Sequence, residues 1–379
     1  MAVAANRPGR IRVAINALHA KSGGGVTYLR NILVHFANEP DLEFHLFLHE
    51  DQYELFASIP DNIQLHLLDF EPKLFGLLLW EQSALPMLCR MMSVDVMFSP
   101  ANYGPLFAPR PVILLRNALS VAGGERRFGK RIYWAGVGLM TFLSVLRSRK
   151  AIAVSHFARR QLTFGLSRFF PSKTEVVYHG VNPMFRPARA VDEKSPFILA
   201  VSDIYVQKNL HGLVDALPAI VARFPQLRLK VAGRPIDKEY YEDVRSKAAA
   251  LGVLEKIDFL GHCATDDLID LYAGCKLLVF PSTVETFGNP LVEAMACGVP
   301  VASSNRTAMP EILEDAAVFF NPHAPAEIAA AVLEILDDPA RADTLAAAGL
   351  ARAADFSWER TSRKTCVIFR SAAGIHDRP

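Results

Sequence analysis

The sequence predicts an α/β protein built from two doubly wound, parallel-sheet domains of the Rossmann-like kind. Three observations predict it. Short apolar runs alternate with helical patterns, and the alternation occurs twice. The two cycles are separated by NPMFRPARAVDEKSP, where three prolines and mixed charges replace the periodic pattern. The 379 residues also exceed the size at which one hydrophobic core stops growing.

In chain order, strands are expected over 11–17, 44–49, 63–68, 94–99, 112–115, 150–155 and 174–178. Each is apolar, rich in β-branched or aromatic residues, and followed by a helix-length segment, so the strands can pair in parallel only through crossovers. A second cycle runs through 197–201, 227–232, 257–260, 277–280, 299–303 and 317–320. The tail FSWERTSRKTCVIFRSA reads as a closing helix, with Ser357 as its N-cap. The expected division is 1–185, a linker over 186–195, 196–356, and a helix over 357–379 that returns to the first domain. Two such sheets facing one another leave a cleft at the carboxyl ends of their strands, where ligands of open α/β sheets bind.

Composition narrows the function classes. Hydrophobic residues make up 51% and charged ones 21%, which suits a folded globular chain. The formal net charge is +2, from 41 basic and 39 acidic side chains, so no global field favours nucleic acid. Cys89, Cys263, Cys275, Cys297 and Cys366 form no zinc-type spacing and are odd in number, which points to reduced thiols and a cytoplasmic setting. Arg7, Arg10 and Arg12 interrupt any leader-like apolar run. The longest low-charge run, 132–146, is shorter than the roughly 20 residues that span a bilayer. No metal and no bound cofactor is expected, because adjacent aspartates occur only at Asp266-Asp267 and Asp337-Asp338, in helical contexts, and no Asp-x-Asp occurs.

The chemistry concentrates in FPSTVETFGNPLVEAMACGVPV, residues 280–301. A strand ends at Pro281, a helix is expected from Pro290, and Gly298 suits its C′ position. The helix start offers unsatisfied amides and a positive dipole end, which suits a phosphate. Thr286, Phe287, Gly288, Asn289, Pro290 and Leu291 are therefore candidate donor-binding positions. Glu285 in the loop and Glu293 in the first turn bring carboxylates to the same place, and carboxylates accept strong hydrogen bonds from a ribose or sugar diol. A nucleotide sugar meets both demands. The residues alone leave a second reading open, in which Glu293 complements the helix dipole and Glu285 is a solvated charge.

The E-x7-E spacing of Glu285 and Glu293 in this stretch resembles the signature of family 4 retaining glycosyltransferases with the GT-B fold. The resemblance implies that Glu293 holds the donor ribose and that Glu285 lies near the transferred sugar. It extends to ILAVSDIYVQKNL, where Lys208 matches the lysine that neutralises a departing diphosphate, with Ser202 and Asn209 beside it as donor contacts. Gln207 and Asp203 stand where relatives often carry arginines. Arg234 is the candidate replacement cation, unless it serves only as a salt-bridge partner. Gly261 and His262 match a base-contacting position. KSGGGVTY resembles the loop that contacts donor and acceptor, with Gly24 and Gly25 as contacts.

The segments LLLWEQSALP, DVMFSPANYGPL, VILLRNALS and AIAVSHFARRQL resemble the acceptor side. There the family's His-Asp pair is replaced by Arg116 and Asn117, both taken as catalytic candidates with Lys208 and Glu285. The implied reaction is hexose transfer from a nucleoside diphosphate sugar to a glycan or lipid-linked hydroxyl, as in polysaccharide or lipopolysaccharide assembly, with a mannosyl donor the reading favoured among sugars. A non-catalytic nucleotide-sugar-binding subunit and a nucleotide-sugar epimerase of the same architecture remain the rivals. Finally, Arg126, Arg127, Lys130, Arg131, Arg147, Arg149 and Lys150 surround an apolar stretch that reads either as a contact with an anionic membrane or as a buried helix of the first domain with charged ends.

Overall fold

The computed structural model describes residues 9–21, 23–56, 58–70, 74–118, 128–187 and 196–375, without the side chains of residues 74, 75, 128 and 130. The chain divides into two compact units, Met1–Gly180 together with Trp358–Pro379, and Val181–Ser357.

The first unit holds β1 (Ile11–Asn16), β2 (Leu42–His49), β3 (Gln64–Leu68), β4 (Val96–Ser99), β5 (Pro111–Leu115), β6 (Lys150–Ala153) and β7 (Thr174–Val176). They form one sheet in the order β3-β2-β1-β4-β5-β6-β7, and every pairing is parallel. Its helices are α1 (Gly24–Phe36), α2 (Leu74–Met91), α3 (Phe128–Arg147), α4 (His156–Leu162) and α5 (Leu166–Phe169). The strands read as apolar runs because both faces are covered, and β4 is buried along its whole length.

The second unit holds β8 (Phe197–Val201), β9 (Arg228–Ala232), β10 (Ile257–Gly261), β11 (Leu278–Phe280), β12 (Val301–Ser304) and β13 (Ala317–Phe320). The order is β10-β9-β8-β11-β12-β13, again all parallel. Its helices are α6 (Leu210–Arg223), α7 (Lys238–Ala250), α8 (Thr265–Gly274), α9 (Asn289–Ala296), α10 (Met309–Leu313), α11 (Pro325–Asp337) and α12 (Pro339–Ala353). Ile198, Leu213, Val279, Ala302, Ile328 and Val332 are fully enclosed in its core. In both sheets the strand order reverses once, between β1 and β4 and between β8 and β11. Loops leaving the carboxyl ends of strands on either side of such a reversal diverge and leave room for a ligand.

The final helix, α13 (Trp358–Ala373), packs in the first unit. Trp358, Thr361, Thr365, Ile368, Phe369 and Ala372 recur at helical spacing and form its buried stripe. Phe369 meets Phe36 of α1 edge-on at 5.7 Å, and Arg370 binds Glu39 and Asp41.

The boundary between the units differs from the expected one. Residues 181–185, assigned by sequence to the first domain, belong to the second. Val181 N–H donates to the Phe356 carbonyl at 3.1 Å, and the Phe185 ring packs edge-on to Tyr272 at 5.9 Å. The prolines that signal a linker lie just beyond an already committed strand bridge. Of the expected linker, residues 188–195 lie outside the described residues.

Candidate active site

In the second unit two loops at the strand-order reversal come together. The loop after β8 carries Ser202 to Asn209, and the loop after β11 carries Pro281 to Gly288. They are stitched at three points. Thr283 donates its N–H (2.9 Å) and its hydroxyl (3.2 Å) to the Gln207 carbonyl. Asn209 Nδ2 donates to the Pro281 carbonyl at 3.2 Å. Lys208 Nζ donates to Glu285 Oε1 at 2.6 Å.

The Lys208–Glu285 pair is the electrostatic centre of the unit. The two side chains are 12% and 16% exposed, so the pair is screened far less than a surface ion pair. Burial works against the lysine's charge, yet the Glu285 carboxylate and the Tyr205 hydroxyl hold its pKa well above the ordinary value. The ammonium also lies 5.4 Å from the Tyr205 ring and 5.7 Å from the Phe280 ring, a cation–π contribution. Lys208 therefore remains cationic at any physiological pH. Glu285 is held from the other side, where its N–H donates to the Thr307 hydroxyl at 3.0 Å. Thr307 has φ +56°, an unusual conformation for a β-branched residue, and is strained to supply that acceptor.

The second glutamate is built differently. α9 opens on Gly288, which has φ +93°, with Pro290 at the second helical position rather than the first. A Cβ on Gly288 would lie 2.9 Å from Leu291 Cδ1, so glycine is required by both backbone and packing. The helix closes in a Schellman motif, with Val299 N–H on the Ala294 carbonyl and Gly298 N–H on the Met295 carbonyl. This fixes two turns, as the sequence spacing implies. Glu293 opens the second of those turns rather than lying in the first, because the helix starts one residue earlier than expected, at Asn289, and Tyr272 OH donates to its Oε2 at 3.0 Å. Burial pushes the Glu293 carboxyl up to about 7, with the tyrosine hydrogen bond pulling the other way.

Several candidates take structural positions instead. Asn209 sits at φ +52°, and its amide donates to the carbonyls of Pro281 and, at 2.7 Å, Pro322. Both donors of its amide are engaged in holding loops. Phe287 is 3% exposed and packs on Phe356, and Leu291 is fully buried. The Leu291 N–H donates to the Gly288 carbonyl at 3.0 Å. Arg234 takes the salt-bridge alternative, with Nη2 at 3.2 Å from Asp203 Oδ2, so the candidate replacement cation is neutralised by the residue that displaces the family's arginine. Gly261 ends the edge strand β10, and His262, the next residue, is exposed. Thr286 is buried, while Ser202, Asn289 and Pro290 are half-buried.

The remaining candidates belong to the first unit. Gly24 and Gly25 open α1. A Cβ on Gly25 would lie 2.6 Å from Arg116 Nη2, so the space left by the glycine is filled by a guanidinium. Gly24 and Gly25, expected as contacts of donor and acceptor, thus also make room for Arg116. Burial lowers the Arg116 pKa, opposed by the Tyr28 phenol; an arginine stays charged under such a shift. Arg116 N–H and Asn117 N–H both donate to Asn102 Oδ1, at 2.9 and 3.0 Å, and Asn102 Nδ2 returns a bond to the Asn117 carbonyl. The Asn117 side chain is exposed.

Sequence patterns did not single out Tyr205, Tyr272, Thr283, Thr307 or Asn102, because each acts through a contact with a distant segment. Another such set is Asn16, His19 and Glu81. Glu81 is completely buried, and its Oε1 takes Asn16 Nδ2 at 2.5 Å and His19 Nε2 at 3.0 Å. Its segment, LLLWEQSALP, had been singled out, but not the glutamate. Among the described residues no group of three or more His, Cys, Asp or Glu side chains is placed to hold a metal ion, and no helix is long and apolar enough to cross a membrane.

Residues 182–352 match the glycosyl transferases group 1 family. The serotype-specific mannosyltransferase WbdA of Escherichia coli is 36% identical over 167 residues, 44% of this chain and 20% of that protein. O-antigen chain mannosyltransferase B of Escherichia coli is 34% identical over 179 residues, 46% of this chain and 45% of that protein. The match thus spans less than half of either relative. Among solved structures, HepE of Anabaena in complex with UDP and glucose superposes with a TM-score of 0.75 at 19% identity, covering 96% of this chain and 100% of that one. The shared architecture is the GT-B fold. The second unit of the chain is thus similar in sequence to the glycosyl transferases group 1.

Proposed function

We propose that the protein is a glycosyltransferase that moves a hexose-like residue from a nucleoside diphosphate sugar to a hydroxyl of a glycan or lipid-linked acceptor, with retention at the anomeric carbon. The observation that carries this reading is the buried Lys208–Glu285 pair beside the glycine-capped start of α9, with Glu293 one turn into that helix. Lys208 and the α9 amides would take the charge of the departing diphosphate, the main catalytic requirement for such a leaving group. Glu293 would accept from the ribose diol. Glu285, already oriented by Lys208 and Thr307, would hold the sugar.

This charge handling needs no metal. Same-face transfer, with the leaving phosphate taking the acceptor proton, accounts for retention without a further base. In the first unit, Arg116 and Asn117 would stand on the acceptor side with the His19–Glu81 pair. The mannosyltransferase relatives favour a mannosyl donor and a role in surface-polysaccharide assembly. A lipid-linked acceptor would place the enzyme on the cytoplasmic face of a membrane.

Thermal-shift titration with UDP, GDP, ADP and dTDP, followed by donor hydrolysis and NMR assignment of the product anomer, tests the proposal. One base should raise the melting temperature, because a ligand bound only by the folded state stabilises it. Nucleotide binding with neither hydrolysis nor transfer would instead support a non-catalytic binding subunit. Conversion of the donor sugar without any acceptor would support an epimerase.

A further inference from the structure

From residue 126 to residue 174 the chain carries eleven Lys and Arg residues and no Asp or Glu. The segment that reads as a membrane contact or as a buried helix covers only the first half of this stretch. Arg126, Arg127 and the side chain of Lys130 lie outside the described residues. What is described places the feature on two elements. α3 leaves Ile132 60% and Leu139 59% exposed, and among its described side chains the buried ones lie only toward its end, at Thr141, Ser144 and Val145. The second element is α5 and the turn after it. Arg168, Phe169, Phe170, Pro171 and Ser172 are all exposed, with Phe169 at 78%.

These elements form one surface. Lys173 Nζ donates to the Leu146 carbonyl at 2.7 Å, and Lys150 Nζ donates to the Ser172 carbonyl at 2.8 Å. The Phe142 and Phe164 rings meet edge-on at 5.6 Å. The end of α3 and the Phe169-Phe170 turn are thus tied together by lysines that span them. Around the turn, Arg147, Arg149 and Arg168 are exposed, and none enters an ion pair with a described residue. Burial, and then the Arg147 charge, press the Lys173 pKa down, which shows how closely the cations are crowded. Two adjacent phenylalanines left 78% and 52% exposed amid unpaired cations are costly in water.

We infer that this surface docks on an anionic lipid bilayer, with Phe169 and Phe170 inserted among the headgroups and Arg147, Arg149 and Arg168 on lipid phosphates. Charge complementarity selects that occupant. A second copy of the chain, joined symmetrically through this face, would set cations against cations. A nucleic acid would use the cations but leave the aliphatic side chains Ile132, Leu139 and Leu146 without a partner. A bilayer satisfies both, because apolar side chains between flanking cations suit the boundary of headgroups and acyl chains. The surface deepens the lipid-linked-acceptor reading above, while the test below requires no catalytic activity.

The experiment is flotation of the full chain with vesicles of equal parts phosphatidylglycerol and phosphatidylcholine, against vesicles of phosphatidylcholine alone. The full chain should float with the anionic vesicles, weakly with neutral ones, and less as salt is raised. Phe169→Ala/Phe170→Ala should lower anionic-vesicle binding about tenfold or more with an unchanged melting temperature, and Arg147→Glu/Arg168→Glu should abolish it. Equal binding to both vesicle types, or no loss in either variant, overturns the inference. So does a parent dimer that the phenylalanine variant converts to monomer in ultracentrifugation, which would make the face a self-interface. Any of these failures leaves nucleotide binding by the second unit, and so the transferase reading, untouched.

Discussion

Glu293 and Lys208 show how differently two buried charges can be prepared. Lys208 has a carboxylate and an aromatic box, so its charge is fixed. Glu293 has one tyrosine hydroxyl and little else, so its carboxyl is poised near neutrality. If it binds the ribose as a carboxylate, nucleotide affinity should rise as pH increases through about 7 and level off above it. Isothermal titration across that range checks this, and Glu293→Ala should weaken binding by about tenfold at pH 8.

The same shift has a stability consequence of opposite sense. Because the folded pKa lies above the ordinary value of 4.5, the group favours folding fully below that value. The contribution is lost as pH rises through about 7. Glu293→Gln should therefore raise the melting temperature at pH 8 and leave it unchanged at pH 4, even as it impairs nucleotide binding. For Lys208→Ala, loss of leaving-group stabilisation should lower kcat by about a hundredfold or more, read in single-turnover kinetics.

At the scale of elements, the site is a matter of loops held by their neighbours. The loops after β8 and β11 are joined by Thr283, Asn209 and the Lys208–Glu285 pair. Asn209→Ala removes two buried donors from carbonyls that then lack partners and places alanine at positive φ; a cost of about 2–3 kcal/mol is expected in chemical denaturation. Gly233 is tighter still. Its φ is +156°, and a Cβ there would lie 1.9 Å from the Ser202 carbonyl oxygen. Gly233→Ala should displace the β8 loop and abolish nucleotide binding even where the unit folds, as binding and circular dichroism measured on one sample would show.

Over the whole molecule, α13 is the element whose place in sequence and place in the structure differ most. It follows the second unit in the chain but completes the core of the first, where Phe369 packs against Phe36, Phe44 and Phe98. Removing residues 358–379 exposes those rings and frees Glu39 and Asp41 from Arg370. Scanning calorimetry of the truncated chain should show the first unit's transition lowered or lost, while the second unit still binds nucleotide.

The strands, their parallel sense and the helix carrying Glu293 were legible in the sequence because they rest on local signals. Apolar period, proline at a helix start and glycine at a helix end act through neighbours a few residues away. For the same reason the E-x7-E pair was visible, since one loop and one helical turn carry it. What only the tertiary structure decided is which polar side chains meet across loops. Arg234 read equally well as a free cation or a salt-bridge partner, and the structure sets its guanidinium against Asp203. The amide of Asn209, expected beside the donor, also holds two distant carbonyls. Gly25, expected as a contact, also leaves the space that Arg116 fills. Hydrogen bonds and charge pairs are satisfied by whatever the fold brings within about 3 Å, and sequence spacing does not encode that distance.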